Sequence, residues 1–448
     1  MHSVILPYIL ELYKAMSQIP LIYQYYLSQR IICTDTRSIT EGCLFFALKG
    51  DHFDANTFAE KALLQGAAFA VIDNKDFQVN DRCILVTDVL TTLQDLAKHH
   101  RCQLSIPVIG LTGSNGKTTT KELIKAVLAE KYITFATKGN LNNHIGVPLS
   151  VLSIQQDTEI AVIEMGANHQ KEIEFLCTIA QPTHGMITNI GMAHLDGFGG
   201  FEGVKKGKAE LFSFLKENKG TVFINRDNTY IVEMSRTIAS AQQIWYGTEE
   251  GNSTVGTLLK SDPVIELKWG NKGSFMQSKT HLTGAYNFEN ILAAICIGDF
   301  FGLTADQINR GLEGYAPNNN RSQLTKTQTN MVICDFYNAN PSSMAAALAN
   351  LATLEGKNKV AIIGDMFELG GESEKLHEEI AIQAEKSGFD NVLFIGKCFY
   401  ALKDRYKGEF FSTPAAAQEW LTNNPVTDSL VLLKGSRGMA LEQLLPVL

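Results

Sequence analysis

Val108-Ile109-Gly110-Leu111-Thr112-Gly113-Ser114-Asn115-Gly116-Lys117-Thr118-Thr119 is the stretch that decides the architecture. Val108 to Thr112 is a short apolar run that reads as a buried strand, and Gly113 to Gly116 is a glycine-rich turn. Leu123, Ile124, Val127 and Leu128 then recur at helical spacing. A strand, a tight turn and a helix opening on Lys-Thr describe a phosphate-binding loop. Successive backbone N–H groups there point into one concavity, and the helix N-terminus adds partial positive charge. Lys117 can reach the outer phosphates, and the Thr118 hydroxyl can ligate Mg²⁺. The spacing is a variant, because Leu111 stands where the generic loop has its first glycine. An ordinary glycine-rich turn is the rival reading, and the agreement of strand, loop, Lys-Thr and helix argues against it.

Outward from this loop the chain alternates strands and helices, so the fold class is α/β. With 448 residues and about 100–200 per domain, three domains are expected. The first, residues 1–104, has strands in Gly42–Leu48, Phe69–Ile72 and Cys83–Val86 and helices over Phe58–Leu64 and Thr91–His99. A polar stretch from Arg101 to Ser105 marks its end. The central domain, residues 105–314, is of P-loop type, with further strands at Ile160–Glu164, Gly185–Thr188 and Thr221–Ile224. Antiparallel strands are expected within 251–283, followed by helices to Gly314. The stretch at 317–320 reads as a linker to the third domain, residues 315–448. Strands near 331–336, 360–364, 391–395 and 429–433 make that domain doubly wound and Rossmann-like, with ligands at the carboxyl ends of its strands.

Composition narrows the function. There are 39 basic against 47 acidic residues, a net charge of −8, so coating a nucleic acid is not the main task. Eight cysteines without a CxxC pair lie mostly in apolar runs and read as buried hydrophobes in a reducing compartment. No apolar stretch approaches the roughly 18 residues needed to span a bilayer, and the N-terminus lacks a secretory pattern. A cytoplasmic protein without membrane insertion is the expectation, with nothing arguing against a monomer.

Phosphoryl transfer needs charge neutralised on the phosphate oxygens. Glu164 ends an apolar strand, where a metal-holding carboxylate belongs, though a solvated strand-end glutamate would look the same. His194 follows another strand end and could equally be structural. Lys208, in Lys205-Lys206-Gly207-Lys208-Ala209-Glu210, taken alone reads as part of a solvated charge run.

Several segments, in order, resemble the Mur ligases of peptidoglycan synthesis: TDTRSITEGCLFFALKG at 34–50, TGSNGKTT at 112–119, GNLNNHIGVPL at 139–149, IEMGA at 163–167 and TNIGMAHLDGFG at 188–199. GAYNFENILAA at 284–294, DFYNANPSSM at 335–344, GDMFELG at 364–370 and LLKGSRGM at 432–439 continue the likeness. The YNANP and GDMFELG pieces resemble the branch that joins D-alanyl-D-alanine to UDP-N-acetylmuramoyl-tripeptide (UDP-MurNAc-tripeptide).

The resemblance implies an ATP-dependent ligase whose loop, Gly113 through Thr119, binds ATP. Lys117 would contact the phosphates, and Thr118 and Glu164 would hold Mg²⁺. His194 matches a histidine near the metal site. Lys208 matches a lysine carried as a carbamate, an anion able to bridge metal ions. Asn290 would lie near adenine, Arg321 at the nucleotide site by the domain junction and Asp335 near ribose. Thr36 and Arg37 resemble the uridine-diphosphate sugar site, and Asn140, Asn142 and Asn143 the loop facing the muramoyl peptide. Asn338 would lie near the ATP or dipeptide end. The three domains would bring UDP-sugar peptide, ATP and dipeptide respectively. His144 departs from an expected acidic residue, and Asp54-Ala55-Asn56 from a more usual Asp-Gly pair.

The implied chemistry is γ-phosphoryl transfer to the peptide carboxylate, giving an acyl phosphate that the dipeptide amine attacks. The rival readings are a sibling ligase adding a single amino acid, a folylpolyglutamate-synthase-like enzyme, a P-loop NTPase switch or motor, and a non-catalytic relative. YNANP and GDMFELG argue against the first two, the 34–50 segment against the third, and intact Lys117, Thr118, Glu164 and Lys208 against the fourth.

Overall fold

The computed structural model describes residues 18–238, 242–271 and 274–448. The N-terminal stretch expected to lack a targeting pattern lies largely outside them. The chain is mixed α/β and falls into two compact units. One comprises the residues up to Gly110 together with 133–166 and 174–183; the other comprises 111–132, 167–173 and 184–448.

In the first unit, Ile32–Cys33, Leu44–Phe46, Phe69–Ile72 and Cys83–Leu85 form a parallel sheet in that order. Both faces of such a sheet are covered, so its strands read as unbroken apolar runs rather than alternating ones. Phe45, Ala70 and Ile72 pack with Ala59, Ala62 and Leu63 of the helix Ala59–Leu64. The expected helix at Phe58 thus starts one residue later, because Ala55–Phe58 is a 3₁₀ turn capped by Asp54. Its Asn56 is fully buried. The side chain donates to Asp54 and Asp73 and accepts the Asp73 N–H, so this departure from the family pattern serves local structure. Arg101, read as part of a polar boundary, is buried and donates to the carbonyls of Ala180, Leu104 and Gln181. A parallel pair, Thr134–Ala136 and Ile160–Glu164, belongs to the same unit.

His100, on the helix Val89–Cys102, shows how tightly this unit is packed. Its Nε2 donates to the Ile154 carbonyl at 3.2 Å and its Nδ1 accepts from the Tyr23 hydroxyl at 3.0 Å. Burial holds the imidazole at about 4, against an ordinary 6.5. The folded protein refuses a proton that the unfolded chain accepts, so this contribution to stability is complete above pH 6.5 and is lost as pH falls toward 4. Urea midpoints at pH 7 and pH 5 should therefore differ less in His100→Gln than in the parent; an unchanged difference would remove His100 from the acid response.

The second unit begins at the end of the strand Val108–Thr112 and continues into the helix Lys117–Leu128. Leu123, Ile124, Val127 and Leu128 are fully buried, each stabilising by about 1.5–3 kcal/mol relative to exposure. That helix packs against Phe288–Phe300 and Ala305–Gly314. Strands His184–Ile187, Thr221–Asn225 and Gln242–Gly247 run parallel, and Thr254–Lys260 joins them. Glu266–Asn271 and Ser274–Lys279 follow antiparallel, as the alternation at 251–283 predicts.

The C-terminal sheet has six strands in the order Gln323–Lys326, Met331–Asp335, Leu430–Lys434, Lys359–Gly364, Asn391–Ile395, Glu409–Phe411. All pairs are parallel except the first. Its side chains alternate between two cores, with Ile333, Ala361, Ile363 and Phe394 on one face and Val332, Cys334, Val360 and Leu393 on the other. This is the doubly wound arrangement. Asp335, Asp365 and Ser436 sit at or just beyond carboxyl ends of its central strands. Cys33, Cys43, Cys83, Cys177, Cys296 and Cys334 are buried free thiols. Among the described residues no helix is long and apolar enough to cross a membrane.

Candidate active site

The phosphate loop is held from one side by residues 188–191. Ser114 N–H donates to the Asn189 carbonyl at 3.0 Å, Asn115 N–H to Asn189 Oδ1 at 2.9 Å, and the Thr188 hydroxyl to the Asn115 carbonyl at 2.6 Å. Gly113 and Gly116 have φ of +147° and +76°. A Cβ on Gly113 would lie 2.0 Å from Thr188 Oγ1. Gly113→Ala therefore collides as well as straining the backbone. It should abolish nucleotide binding in calorimetry, and retention of the parental affinity would contradict this account of the loop.

Lys117 opens the helix, and its Nζ donates to the carbonyls of Gly113 and Ser114 at 2.7 and 3.2 Å. Thr118 and Thr119 are buried in the first turn. Asn290 is buried beneath them. Its Oδ1 accepts from Thr120 Oγ1 at 3.0 Å and its amide donates to Asn287 at 2.9 Å. The structure thus places Asn290 against the loop and helix start.

The C-terminal sheet reaches the same loop. Asn340 donates to Asn115 Oδ1 at 2.7 Å, and Asn115 donates to the Ser342 hydroxyl at 2.9 Å. Asn340 also caps the helix Pro341–Thr353. Sequence reasoning singled out Asn338 in this segment and passed over Asn340 and Ser342; the capping pattern Asn-Pro-x-Ser was the available signal.

Lys208 is buried in the helix Phe201–Glu217, donating to the Ala167 carbonyl at 3.3 Å with its ammonium 5.0 Å from the Phe198 ring centre. Burial pushes it well below the usual lysine range, and the charge of Lys117 adds to the push. The solvated charge-run alternative therefore does not hold for Lys208. His194, at φ +53°, hydrogen-bonds Glu368 through Nδ1. Burial lowers its pKa, Glu368 opposes this, and Lys117 and Lys208 reinforce it. Lys117 at the opening of its helix thus offers a setting suited to anionic oxygen, while His194 and Lys208 are each driven toward their neutral forms.

Asp335 accepts the Ser322 N–H at 3.2 Å and pairs with buried Lys434 at 2.5 Å. Arg321 stacks its guanidinium 3.9 Å from the centre of the Tyr337 ring, and its Nε is buried without a hydrogen-bond partner among the described residues. An orphaned guanidinium nitrogen of this kind is suited to a ligand oxygen.

The remaining predicted residues lie in the first unit. Glu164, buried at the end of its strand, accepts from Asn142 Nδ2 at 2.9 Å. Asn143 caps its own turn through the N–H groups of Ile145 and Gly146, and Asn140 is exposed. The His144 carbonyl accepts from Gln94 at 3.0 Å. Thr36 and Arg37 lie on a 3₁₀ turn capped by Asp35, and Arg37 pairs with Asp35 at 2.6 Å. That hydrogen-bonded pairing lowers the Asp35 carboxyl to about 2.

Residues 111–298 match the Mur ligase middle domain and residues 320–437 the Mur ligase, glutamate ligase domain. The UDP-N-acetylmuramoyl-tripeptide–D-alanyl-D-alanine ligase of Bacillus subtilis is 36% identical over 92% of each chain. A MurF crystal structure from Acinetobacter baumannii superposes with TM-score 0.83 at 30% identity, covering 93% of this chain and 92% of that one. The MurF ligase of Thermotoga maritima in complex with ADP gives 0.82 at 28% identity, covering 93% and 96%. Nearly full-length identity to the first of these carries the conclusion that the chain belongs to the Mur ligase family.

Proposed function

We infer that this protein is an ATP-dependent amide ligase that joins D-alanyl-D-alanine to UDP-MurNAc-tripeptide, giving the pentapeptide precursor of peptidoglycan. The observation that carries the reading is the phosphate loop, where Lys117 and the opening of its helix offer a site for anionic oxygen and Asn340 and Ser342 tie in the C-terminal sheet. Curated relatives with that activity, 36% identical to this chain, support it.

A peptide carboxylate resists an incoming amine, so it is first phosphorylated by ATP. The loop N–H groups and Lys117 stabilise charge on the transferring phosphoryl oxygens, the main form of help such transfers need. The amine of D-alanyl-D-alanine then forms the amide bond, and phosphate leaves with the electron pair of the broken C–O bond. Arg321, stacked on Tyr337, presents its Nε toward a nucleotide oxygen in this reading. Thr118 and Glu164 offer the oxygen donors Mg²⁺ takes, and Asn142 orients the Glu164 carboxylate. When bound, Mg²⁺ neutralises charge on the phosphate oxygens.

Lys208 suits carbamylation because burial favours its neutral amine, the form that adds CO₂. We assign residues 1–104 to the UDP-sugar peptide, 105–314 to ATP and 315–448 to the dipeptide, in a cytoplasmic, monomeric enzyme. Thr36, Arg37, Asn140, Asn142 and Asn143 would serve the first substrate, and Asp335 the ribose.

The test is phosphate release from ATP with Mg²⁺ and UDP-MurNAc-tripeptide, with and without D-alanyl-D-alanine, and mass detection of the product. Release requiring both substrates and yielding the pentapeptide is expected, with lysine and diaminopimelate tripeptides compared. Ligation of a single amino acid instead would point to a sibling ligase, and release indifferent to both substrates to another kind of NTPase.

A further inference from the structure

We propose that the side chains of Asn115, Asn340 and Ser342 form a hydrogen-bonded latch between the phosphate loop and the C-terminal domain, and that this latch couples phosphate release to amide formation. The role rests on the ligase reading above and makes the three positioning residues rather than catalytic ones. They hold the two domains together while the acyl phosphate waits for its amine.

The three side chains close a ring. Asn115 Nδ2 donates to Ser342 Oγ at 2.9 Å, Ser342 Oγ donates to Asn340 Oδ1 at 2.9 Å, and Asn340 Nδ2 donates to Asn115 Oδ1 at 2.7 Å. The helix Pro341–Thr353 fixes the sense of the ring, because Asn340 Oδ1 also accepts the Ser343 N–H at 2.9 Å as its N-cap. With that oxygen committed to the cap, the Asn340 amide NH₂ faces Asn115. Asn340 is buried, and each bond in such a cycle polarises the next.

Each side of the ring is rooted in its own domain. The Asn115 N–H donates to Asn189 Oδ1 at 2.9 Å and its carbonyl accepts from the Thr188 hydroxyl at 2.6 Å, so the turn that shapes the phosphate loop also aims this side chain. Gly191 leaves room for the ring. A Cβ there would lie 2.7 Å from Ser342 Oγ and 3.2 Å from Asn115 Nδ2. Four residues on, Leu195 packs against the C-terminal core that contains Met344 and Leu348, both on the helix that Asn340 caps.

The strength of the ring suits a latch. A neutral hydrogen bond shifts an equilibrium by about fivefold, so the two bonds from Asn115 across the junction favour the joined arrangement by about 25-fold. That bias holds the domains through a chemical step and still lets them part for product release. A closed site keeps water from a reactive intermediate, and this closure is made by the same loop that cradles the phosphates. A parted junction lets the acyl phosphate escape and hydrolyse, which yields phosphate and regenerates the tripeptide without an amide bond.

Asn340→Asp separates the latch from the cap, because aspartate caps a helix about as well as asparagine but turns the donor that faces Asn115 into an acceptor. Phosphate and pentapeptide are counted in one reaction of the full chain with ATP, Mg²⁺, UDP-MurNAc-tripeptide and D-alanyl-D-alanine. The parent should yield the two in equal amounts. Asn340→Asp should melt within a few degrees of the parent yet release an excess of phosphate, its uncoupled rate raised by about 5- to 25-fold. Ser342→Ala removes two bonds of the ring without adding charge and should uncouple to a similar extent. The double variant should be little worse than either single one, since one break already opens the ring. Parental stoichiometry in both single variants overturns the proposal, and so does an excess that adds in full in the double variant. Should Asn340→Asp fail to fold, equal yields in Ser342→Ala are enough to overturn it. Phosphate without any pentapeptide from the parent would instead sink the ligase reading itself.

Discussion

Lys117→Ala is expected to lower kcat by about 10²- to 10³-fold, the usual loss when one preorganised donor to a developing oxyanion is removed. The ammonium is the charge nearest the loop carbonyls of Gly113 and Ser114, so it sits where the outer phosphates of a nucleotide would lie. Lys208 and His194 are not placed to take over, since Lys208 is buried against Ala167 and Phe198 and His194 is engaged by Glu368. KM for D-alanyl-D-alanine should change little. Stopped-flow phosphate release measures the loss, and a thermal melt within a few degrees of the parent separates it from misfolding. Activity within threefold of the parent would show that the loop N–H groups alone suffice.

Lys208→Ala carries the second large effect. A buried ammonium costs free energy unless well paired, and Lys208 donates a 3.3 Å hydrogen bond to the Ala167 carbonyl. Removing it should therefore leave the melting temperature unchanged or raised, while activity falls by about 10²-fold or more if an anion on this side chain helps to hold the metal. Formate or acetate, small enough for the space left behind, should restore part of the loss by supplying the missing carboxylate. The parent should in turn lose activity in CO₂-depleted buffer and regain it with bicarbonate. Full activity in the alanine variant removes Lys208 from the mechanism, and loss of stability without rescue reduces it to a packing residue.

Much of the fold was legible because buried parallel strands are written as unbroken apolar runs. Phe69–Ile72, Val108–Thr112, Ile160–Glu164 and Asn391–Ile395 coincide with their expected bounds. Gln242–Gly247 was missed because it opens on two glutamines and is half exposed over its first residues. Ile32–Cys33, Thr134–Ala136 and Glu409–Phe411 are too short to show a period.

The site divides along the same line. The phosphate loop announces itself by local spacing, and both Lys117 and Thr118 could be placed from it. Glu368 could be quoted as part of a motif but given no role, since its partner His194 lies 174 residues away. Asn340 was overshadowed by Asn338, since only the folded chain shows which of two alternate asparagines reaches Asn115. Lys208 is the sharpest case. Three lysines within four residues look like a solvated face, but the helix turns Lys208 inward to 1% exposure while Lys205 pairs with Glu202 at the surface.

The most direct measurement follows the oxygen. UDP-MurNAc-tripeptide labelled with ¹⁸O in its terminal carboxylate is incubated with the protein, ATP, Mg²⁺ and D-alanyl-D-alanine, and the released phosphate is analysed by mass. An acyl phosphate route transfers one carboxylate oxygen to phosphate for each amide bond formed, so ¹⁸O-phosphate should appear in step with pentapeptide. Unlabelled phosphate accompanying pentapeptide, or phosphate released without pentapeptide, would contradict the account.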